Sequence, residues 1–258
     1  MSTTIKPGRF VWFEYISSDE NKAQAFYGEL FHWKTKPLPL PQGSYTMIAL
    51  GDETMGGYVK TPPGAPAHAH WLPHLQVQNA QETATKIKSL GGKVAKEPFK
   101  VGDVGTMAVV TDPLGAAFAL WQPNNPPPGS GDYSGKDGGW VWNELYSDDP
   151  DRSIAFYRAI GGFEHERMQG GRDAGPDRYD ILNSDGKGRA GVMKLSGVPA
   201  MWMPYIKVAN ADATVAQAKK LGATIKNGPE SIPNVGRIAV ISDPLGAVFG
   251  ILQPAPGM

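Results

Sequence analysis

Glu14 and Glu144 are carboxylates set inside otherwise apolar, strand-like runs, FVWFEYIS and WVWNELYS. Side chains alternate faces along a strand, so Glu14 shares a face with Trp12, and Glu144 with Trp142. A carboxylate withdrawn from water must be hydrogen-bonded, paired or shifted in pKa, because isolated burial costs several kcal/mol. Such a group can act as a general base that takes a proton next to a carbonyl, or as a ligand anchor. A structural carboxylate tying strand to strand fits as well. His74, in WLPHLQVQNA, lies on one face with Leu72 and can serve as acid, base or anchor. Its counterpart in WMPYIKVANA is Tyr205, which lies on one face with Met203. A satisfied structural histidine is the plainer reading of His74. Trp12, Trp142 and Trp121 either wall a pocket for a flat apolar ligand or pack a core. The catalytic candidates are therefore Glu14, Glu144 and His74, and the ligand-binding candidates are Trp12, Leu72, Trp121, Trp142, Met203 and Tyr205. His68 and His70, in TPPGAPAHAH, read as loop residues.

The elements that must position these side chains are written twice. Trp12, Glu14, Asp19 and Ala25-Phe26-Tyr27 recur 130 positions later as Trp142, Glu144, Asp149 and Ala155-Phe156-Tyr157. The turn DPLGA appears at Asp112 and again at Asp243, and both copies close on Gln-Pro, at Gln122 and Gln253. This places one domain at 8–123 and a second at 140–254, joined by a Pro-, Gly- and Ser-rich exposed linker at 124–139. A fainter repeat lies inside each copy: a strand, a capped helix, then three strand-like runs. Asp19 caps a helix whose Ala23, Phe26, Tyr27, Leu30 and Phe31 share a face. Asn79 and Glu82 form a capping-box pattern, with Ala80, Ala84, Ile87 and Leu90 inward and Gly91 as the stop. Asp149 before Pro150, and Asn210 with Gly222, repeat these signals. Runs such as YTMIAL, TMAVVTD, YDIL and RIAVISD read as strands. Gly56-Gly57 and Gly191 open the fourth strand of each copy, where a missing side chain lets a ligand or backbone approach, or simply serves a turn. The stretch QGGRDAGPDRYD is longer by about four residues than its equivalent in the first copy. Its Arg172, Asp173, Asp177 and Arg178 read as solvated surface charges, with a lid over the second site as the alternative.

Composition narrows the partners. With 25 basic and 25 acidic side chains there is no electrostatic footprint for nucleic acid or an anionic membrane surface. The absence of cysteine removes disulfides, thiolate metal sites and a thiol nucleophile. Hydrophobic residues make up 41% of the chain, enough to bury real cores, yet no apolar run approaches the roughly 20 residues of a membrane span. The N-terminus MSTTIKPGRF has no hydrophobic signal core, so a cytoplasmic location is expected. No GxGxxG, P-loop, GxSxG or HExxH pattern stands in a credible context.

A βαβββ unit used four times, A-F-Y near the first helix end, Asn-Ala opening the second helix and D-P-x-G before the last strand together resemble the vicinal-oxygen-chelate superfamily. Its members include glyoxalase I, extradiol dioxygenases, methylmalonyl-CoA epimerase, and bleomycin and fosfomycin resistance proteins. The resemblance covers nearly the whole chain and is nearest to tandem glyoxalase-like bacterial proteins. It implies an α+β fold of four βαβββ modules forming two tandem half-barrel domains, each around a ligand cavity. It also implies the metal positions of the family, which carry His, Gln or Glu in the metal-using members. Here the first-strand position falls on Trp12 and Trp142, the fifth on Leu72 and Met203, and the eighth on Ala119 and Gly250. None of these six can ligate a divalent cation, so no cofactor is expected at the family site. A shift of two along a strand keeps the face and would bring Glu14 and His74 into a displaced two-ligand metal site; in the second copy it brings Glu144 and Tyr205.

Two functions follow from this resemblance. One is a lyase, isomerase or oxygenase-type enzyme that works without the usual metal, with Glu14 or Glu144 as base. The other is non-catalytic binding or sequestration of an aromatic, antibiotic-like small molecule. In either case the partner is a small molecule rather than nucleic acid or membrane. The chain is expected to be complete as a monomer, with a homodimer of tandems as the alternative, and Trp121 against Leu252 makes the two pockets unequal.

Overall fold

Four polar side chains start the four helices found among the described residues of this computed structural model, by accepting backbone N–H groups that a first helical turn leaves unused. Asp19 accepts from Lys22 N at 3.0 Å to open α1 (Glu20–Phe31), and Asp149 from Arg152 N at 3.1 Å to open α3 (Pro150–Gly161). Asn79 and Asn210 do the same for α2 (Ala80–Ser89) and α4 (Ala211–Lys220). Glu82 completes the cap at Asn79 through the side-chain amide, Nδ2 to Oε1 at 2.8 Å. α2 stops one residue short of expectation: Leu90 is its C-cap, 38% exposed rather than inward. α3 ends on Gly162 in the left-handed region, and α1 ends there on His32, a residue that adopts it less readily.

The structure describes residues 5–40, 43–62, 68–125, 133, 135–168 and 178–257. Around the helices the chain runs as four βαβββ modules. The first is β1 (Arg9–Ser17), α1, β2 (Lys34–Leu40), β3 (Gly43–Leu50) and β4 (Glu53–Lys60). The second is β5 (His70–Gln76), α2, β6 (Lys93–Val101), β7 (Gly105–Thr111) and β8 (Ala117–Pro123). The third is β9 (Trp140–Ser147), α3, β10 (Glu164–Arg167), β11 (Tyr179–Ser184) and β12 (Lys187–Lys194). The fourth is β13 (Met201–Lys207), α4, β14 (Thr224–Ile232), β15 (Gly236–Ser242) and β16 (Val248–Pro254). They form two eight-stranded mixed sheets, ordered β2-β3-β4-β1-β5-β8-β7-β6 and β10-β11-β12-β9-β13-β16-β15-β14, which is the α+β arrangement expected. Pro37, Pro39, Pro98 and Pro229 sit in the edge strands β2, β6 and β14, where a missing N–H is best tolerated, whereas Pro73 and Pro204 lie in the interior strands β5 and β13. No helix among the described residues is long and apolar enough to cross a membrane.

The chain packs as two compact units, and each takes one module from each copy of the repeat. Unit 1 is Met1–Val11, Pro73–Asp132 and Trp142–Trp202; unit 2 is Trp12–Leu72, Tyr133–Val141 and Met203–Met258. Part of the expected 124–139 linker lies outside the described residues. Its end is not exposed: Gly138 and Gly139 are buried, Gly138 N donates to Lys207 O and Lys207 N donates to Gly139 O, both at 2.8 Å.

The DPLGA turns do more than reverse the chain. In unit 2, Asp243 Oδ1 accepts from Leu245 N and Ala247 N, while Oδ2 accepts from the Tyr15 hydroxyl at 2.5 Å and the Tyr27 hydroxyl at 3.0 Å. Trp71 Nε1 in turn donates to the Tyr27 hydroxyl at 3.1 Å. In unit 1, Asp112 Oδ1 accepts from Leu114 N and Ala116 N, Oδ2 accepts from the Tyr157 hydroxyl at 3.2 Å, and Trp202 Nε1 donates to Tyr157 at 2.9 Å. The Tyr of each A-F-Y thus binds the turn Asp of the other copy. Tyr15 has Leu145 as its counterpart, so Asp112 has one phenol where Asp243 has two.

Burial raises the Asp112 pKa above the usual carboxylate range, with the Ala116, Leu114 and Tyr157 hydrogen bonds opposing it. Asp243→Asn would turn an N–H₂ toward two phenol oxygens and leave both hydroxyls without an acceptor, at a cost of about 3 kcal/mol. Asp112→Asn disturbs one phenol and should cost about 1 kcal/mol near neutral pH. Because the folded-state pKa of Asp112 is raised, its contribution is fully present below the unfolded pKa and is lost as pH rises through the folded one. Urea unfolding of wild type and both variants should therefore rank Asp243→Asn as the more damaging at pH 7. The gap between wild type and Asp112→Asn should widen as the pH is lowered toward 4.

Candidate functional site

β1 pairs in parallel with β4, with Glu14 opposite Gly57, and β9 pairs with β12, with Glu144 opposite Gly191. Phe13 and Tyr15 point to the side of β1 covered by α1, where the Tyr15 ring lies 5.4 Å from Tyr27. Alternation then sends Trp12 and Glu14 to the helix-free face, and Trp142 and Glu144 to the equivalent face of β9. On each face a tyrosine from the neighbouring hairpin joins them. Trp12 Nε1 donates to the Tyr45 hydroxyl at 2.9 Å, and that hydroxyl donates to Glu14 Oε1 at 3.0 Å. Trp142 Nε1 donates to the Tyr179 hydroxyl at 2.8 Å, and Tyr179 is hydrogen-bonded to Glu144.

Gly57 and Gly191 make these relays possible. A methyl group at Gly57 would overlap the Tyr45 hydroxyl, and one at Gly191 would overlap that of Tyr179. The indole of Trp142 also lies against Gly188. These glycines are therefore room for a phenol and an indole rather than turn residues. Burial raises the pKa of Tyr45, and the charge of Glu14 raises it further; Tyr179 is raised by burial and by Glu144. Both phenols stay protonated. The indoles of Trp12 and Trp142 remain half-buried, whereas Glu144 is 6% exposed.

The other sequence candidates occupy the β5–β8 and β13–β16 pairs. In unit 1, His74 is buried and lies opposite Ala119, with half-buried Trp121 further along β8 and its ring against Gly105. In unit 2, Tyr205 lies opposite Gly250, and its ring fills the space that a side chain at 250 would need. Leu72 and Met203 are fully buried. Glu14 belongs to unit 2 and His74 to unit 1. Among the described residues, no group of three or more His, Asp or Glu side chains is placed to hold a metal ion. The residues at the implied family positions do not fit a divalent cation: Trp12 and Trp142 spend their N–H on tyrosine, Gly250 lies under the Tyr205 ring, and Leu72, Met203 and Ala119 carry no donor atom.

Some expectations change. His70 begins β5 instead of lying in a loop; its Nδ1 lies 3.2 Å from His68 O, and burial lowers its pKa. Arg178 is not solvated: it pairs with Asp151 at 2.8 Å and with fully buried Asp180, which His165 and Arg167 also contact. Burial would raise the Asp180 pKa, but these partners hold it below the usual range. Arg172, Asp173 and Asp177, with the proposed lid, lie outside the described residues. Tyr45 and Tyr179 were not among the candidates. They stand 134 positions apart, so the four-residue insert hides their equivalence unless YTMIAL and YDIL are aligned after it.

Residues 141–251 match the Glyoxalase/Bleomycin resistance protein/Dioxygenase superfamily. The Mycobacterium tuberculosis protein named "Putative glyoxylase CFP32" is 37% identical over 251 residues, covering 95% of this chain and 94% of that protein. "Anthracycline biosynthesis protein DauV" of Streptomyces sp. (strain C5) is 30% identical over 266 residues, covering 97% and 95%. The 2,3-dioxygenase LapB from Pseudomonas sp. KL28 shares the fold with a TM-score of 0.66 at 11% identity, covering 99% and 96% of the two chains. The chain belongs to the glyoxalase/bleomycin resistance/dioxygenase superfamily.

Gly191→Ala should expel the Tyr179 hydroxyl and release Trp142, at a cost of about 1–3 kcal/mol. Tyr179→Phe should release the indole with less strain. Near-ultraviolet circular dichroism and tryptophan emission would read both. An unchanged Trp142 signal in Tyr179→Phe, isolated by comparison with Trp142→Phe, would mean that the phenol does not fix the ring.

Proposed function

We propose that this chain binds a planar aromatic small molecule on the helix-free faces of β1 and β9, with Trp12 and Trp142 as stacking surfaces. The observation that carries this reading is that each half-buried indole is tied by its only polar atom to a half-buried phenol that is itself hydrogen-bonded to a glutamate. A ring already fixed in place gives up little further freedom when a ligand stacks on it, and such preorganisation favours affinity. Flat aromatic partners gain most from such a surface, through offset or edge contacts. The naming of DauV for anthracycline biosynthesis supports the same ligand shape, since anthracyclines carry planar fused rings.

A second reading is favoured by the buried Glu144 beside Tyr179: metal-free proton abstraction, with Glu144 as base and with Glu14 in the same role in the other unit. It describes a lyase-, isomerase- or oxygenase-type reaction on the bound ring. The two readings separate on Glu144→Gln, which would bind an aromatic ligand without turnover if Glu144 is a base.

Quenching of tryptophan emission by an anthraquinone tests the binding reading. Trp12→Ala and Trp142→Ala should each remove one binding event or weaken it about tenfold, the scale of one lost aromatic contact with its buried area. Affinity and stoichiometry unchanged in both variants would reject it.

A further inference from the structure

The indoles of Trp12 and Trp142 do not rest on the same floor. In unit 1 the Trp142 ring lies across β12 and meets it at two places. Its Nε1 is 3.1 Å from the point where a Cβ on Gly191 would stand, and its far edge, Cη2 and Cζ3, is 3.2 and 3.4 Å from the point where a Cβ on Gly188 would stand. Neither residue carries a side chain, so the ring settles onto the strand backbone at both ends. In unit 2 the hairpin register identifies the matching positions. Gly57 lies opposite Met47 as Gly191 lies opposite Ile181, and Thr54 lies opposite Ala49 as Gly188 lies opposite Asn183. The register shifts at the same point in both hairpins, between Ile48 and Ala49 and between Leu182 and Asn183, so the match holds through the irregularity. The glycine beneath the nitrogen is thus kept, and the glycine beneath the far edge is replaced by threonine. A Cβ 3.2 Å from a ring atom is already inside ordinary van der Waals contact. Threonine adds a methyl and a hydroxyl on a stiff χ1 that leaves little room to turn them aside. The Trp12 indole is therefore denied the position that Trp142 takes.

Resting on the reading that Trp12 and Trp142 stack a planar aromatic ligand, we propose that the two sites are unequal, that the Trp142 site is the tighter, and that residues 54 and 188 set the difference. Both rings are tied at the nitrogen, Trp12 to Tyr45 and Trp142 to Tyr179, so that bond does not distinguish them. The relay residues are the same types in both units and cancel from the comparison. The far edge is what differs. A ring tied at one end can still rock about its nitrogen, whereas a ring bedded at both ends is already in place and gives up less freedom when a ligand covers it. Gly188 and Thr54 are positioning residues, since they act on the ligand through the indole.

Calorimetric titration of the full chain with 2-naphthol tests this, with Trp12→Ala isolating the Trp142 site and Trp142→Ala isolating the Trp12 site. The site left by Trp12→Ala should bind about fivefold more tightly than the site left by Trp142→Ala, the scale of one immobilised side chain. Adding Thr54→Gly to Trp142→Ala should bring the remaining site to within about twofold of the other, and adding Gly188→Thr to Trp12→Ala should weaken its site about fivefold. Residues with a merely structural role would move the urea midpoints of these chains and leave the ratio of the two dissociation constants where it was. Equal constants, a tighter Trp12 site, or a Trp12 site unmoved by Thr54→Gly would each overturn the inference while aromatic binding stands. If 2-naphthol binds neither the single-site chains nor wild type, the aromatic reading itself fails and this inference with it. Thr54→Gly, at an exposed position, decides the matter even if Gly188→Thr does not fold.

Discussion

A carboxylate inside a protein has to be supplied with hydrogens, and this chain meets that constraint with one device used four times. A tryptophan N–H donates to a tyrosine hydroxyl, and the tyrosine donates to the carboxylate. Trp71, Tyr27 and Asp243 form one relay, and Trp202, Tyr157 and Asp112 another. Trp12, Tyr45 and Glu14, with Trp142, Tyr179 and Glu144, form the remaining two. Indole cannot accept, so each relay has a fixed sense, and it ends on an acceptor. The two aspartate relays also explain how the modules combine. Each joins the A-F-Y helix of one copy to the DPLGA turn of the other, so each compact unit contains a module from both copies. Losing an acceptor in such a place costs the full desolvation of the donor, and buried charged pairs are far more sensitive to the removal of one partner than their net worth suggests.

Much of this architecture was legible because its signals are local. The caps at Asp19, Asn79, Asp149 and Asn210 depend on one side chain and the next turn of backbone, and all four helices begin where those residues stand. The repeat is likewise a property of the chain alone. What escaped was set by distant partners. The DPLGA aspartates read as turn formers because the turn is local, whereas the phenols they accept lie 45 residues away for Asp112 and 216 or more for Asp243. Gly57 and Gly191 read as turn or ligand space, and only the hairpin register puts Tyr45 and Tyr179 above them. Arg178 read as solvated because its carboxylate partner Asp180 alternates into the interior of β11. Glu14 and Glu144 were recognisable as anomalies, being charges in apolar strands, but the sequence carries no mark of which atoms they hold.

The two copies have diverged in compensating pairs, which is how packing at high density responds to change. Where β13 carries the large ring of Tyr205, the opposing residue on β16 is Gly250; where β5 carries the smaller His74, the opposing residue on β8 is Ala119. Tyr15 against Leu145 changes the donor count at the two turn aspartates, and burial then prevails at Asp112, whose pKa rises. The relay triads, by contrast, are the same three residue types in both copies. Divergence has therefore been admitted beside the relays and not within them.

One device can serve two ends because burial decides which. Asp112 and Asp243 are closed off together with their tyrosines and tryptophans, so every hydrogen bond there is spent on holding modules together. On the helix-free faces the indoles of Trp12 and Trp142 stay half open, and the same three residue types leave a flat ring partly uncovered. A structural carboxylate would have done its work equally well under a closed core. Keeping an indole half open on both faces forgoes part of the stabilisation of burying it, and tying that indole to a protonated phenol limits its freedom to move. Both features are what the proposed stacking of a planar ligand would use.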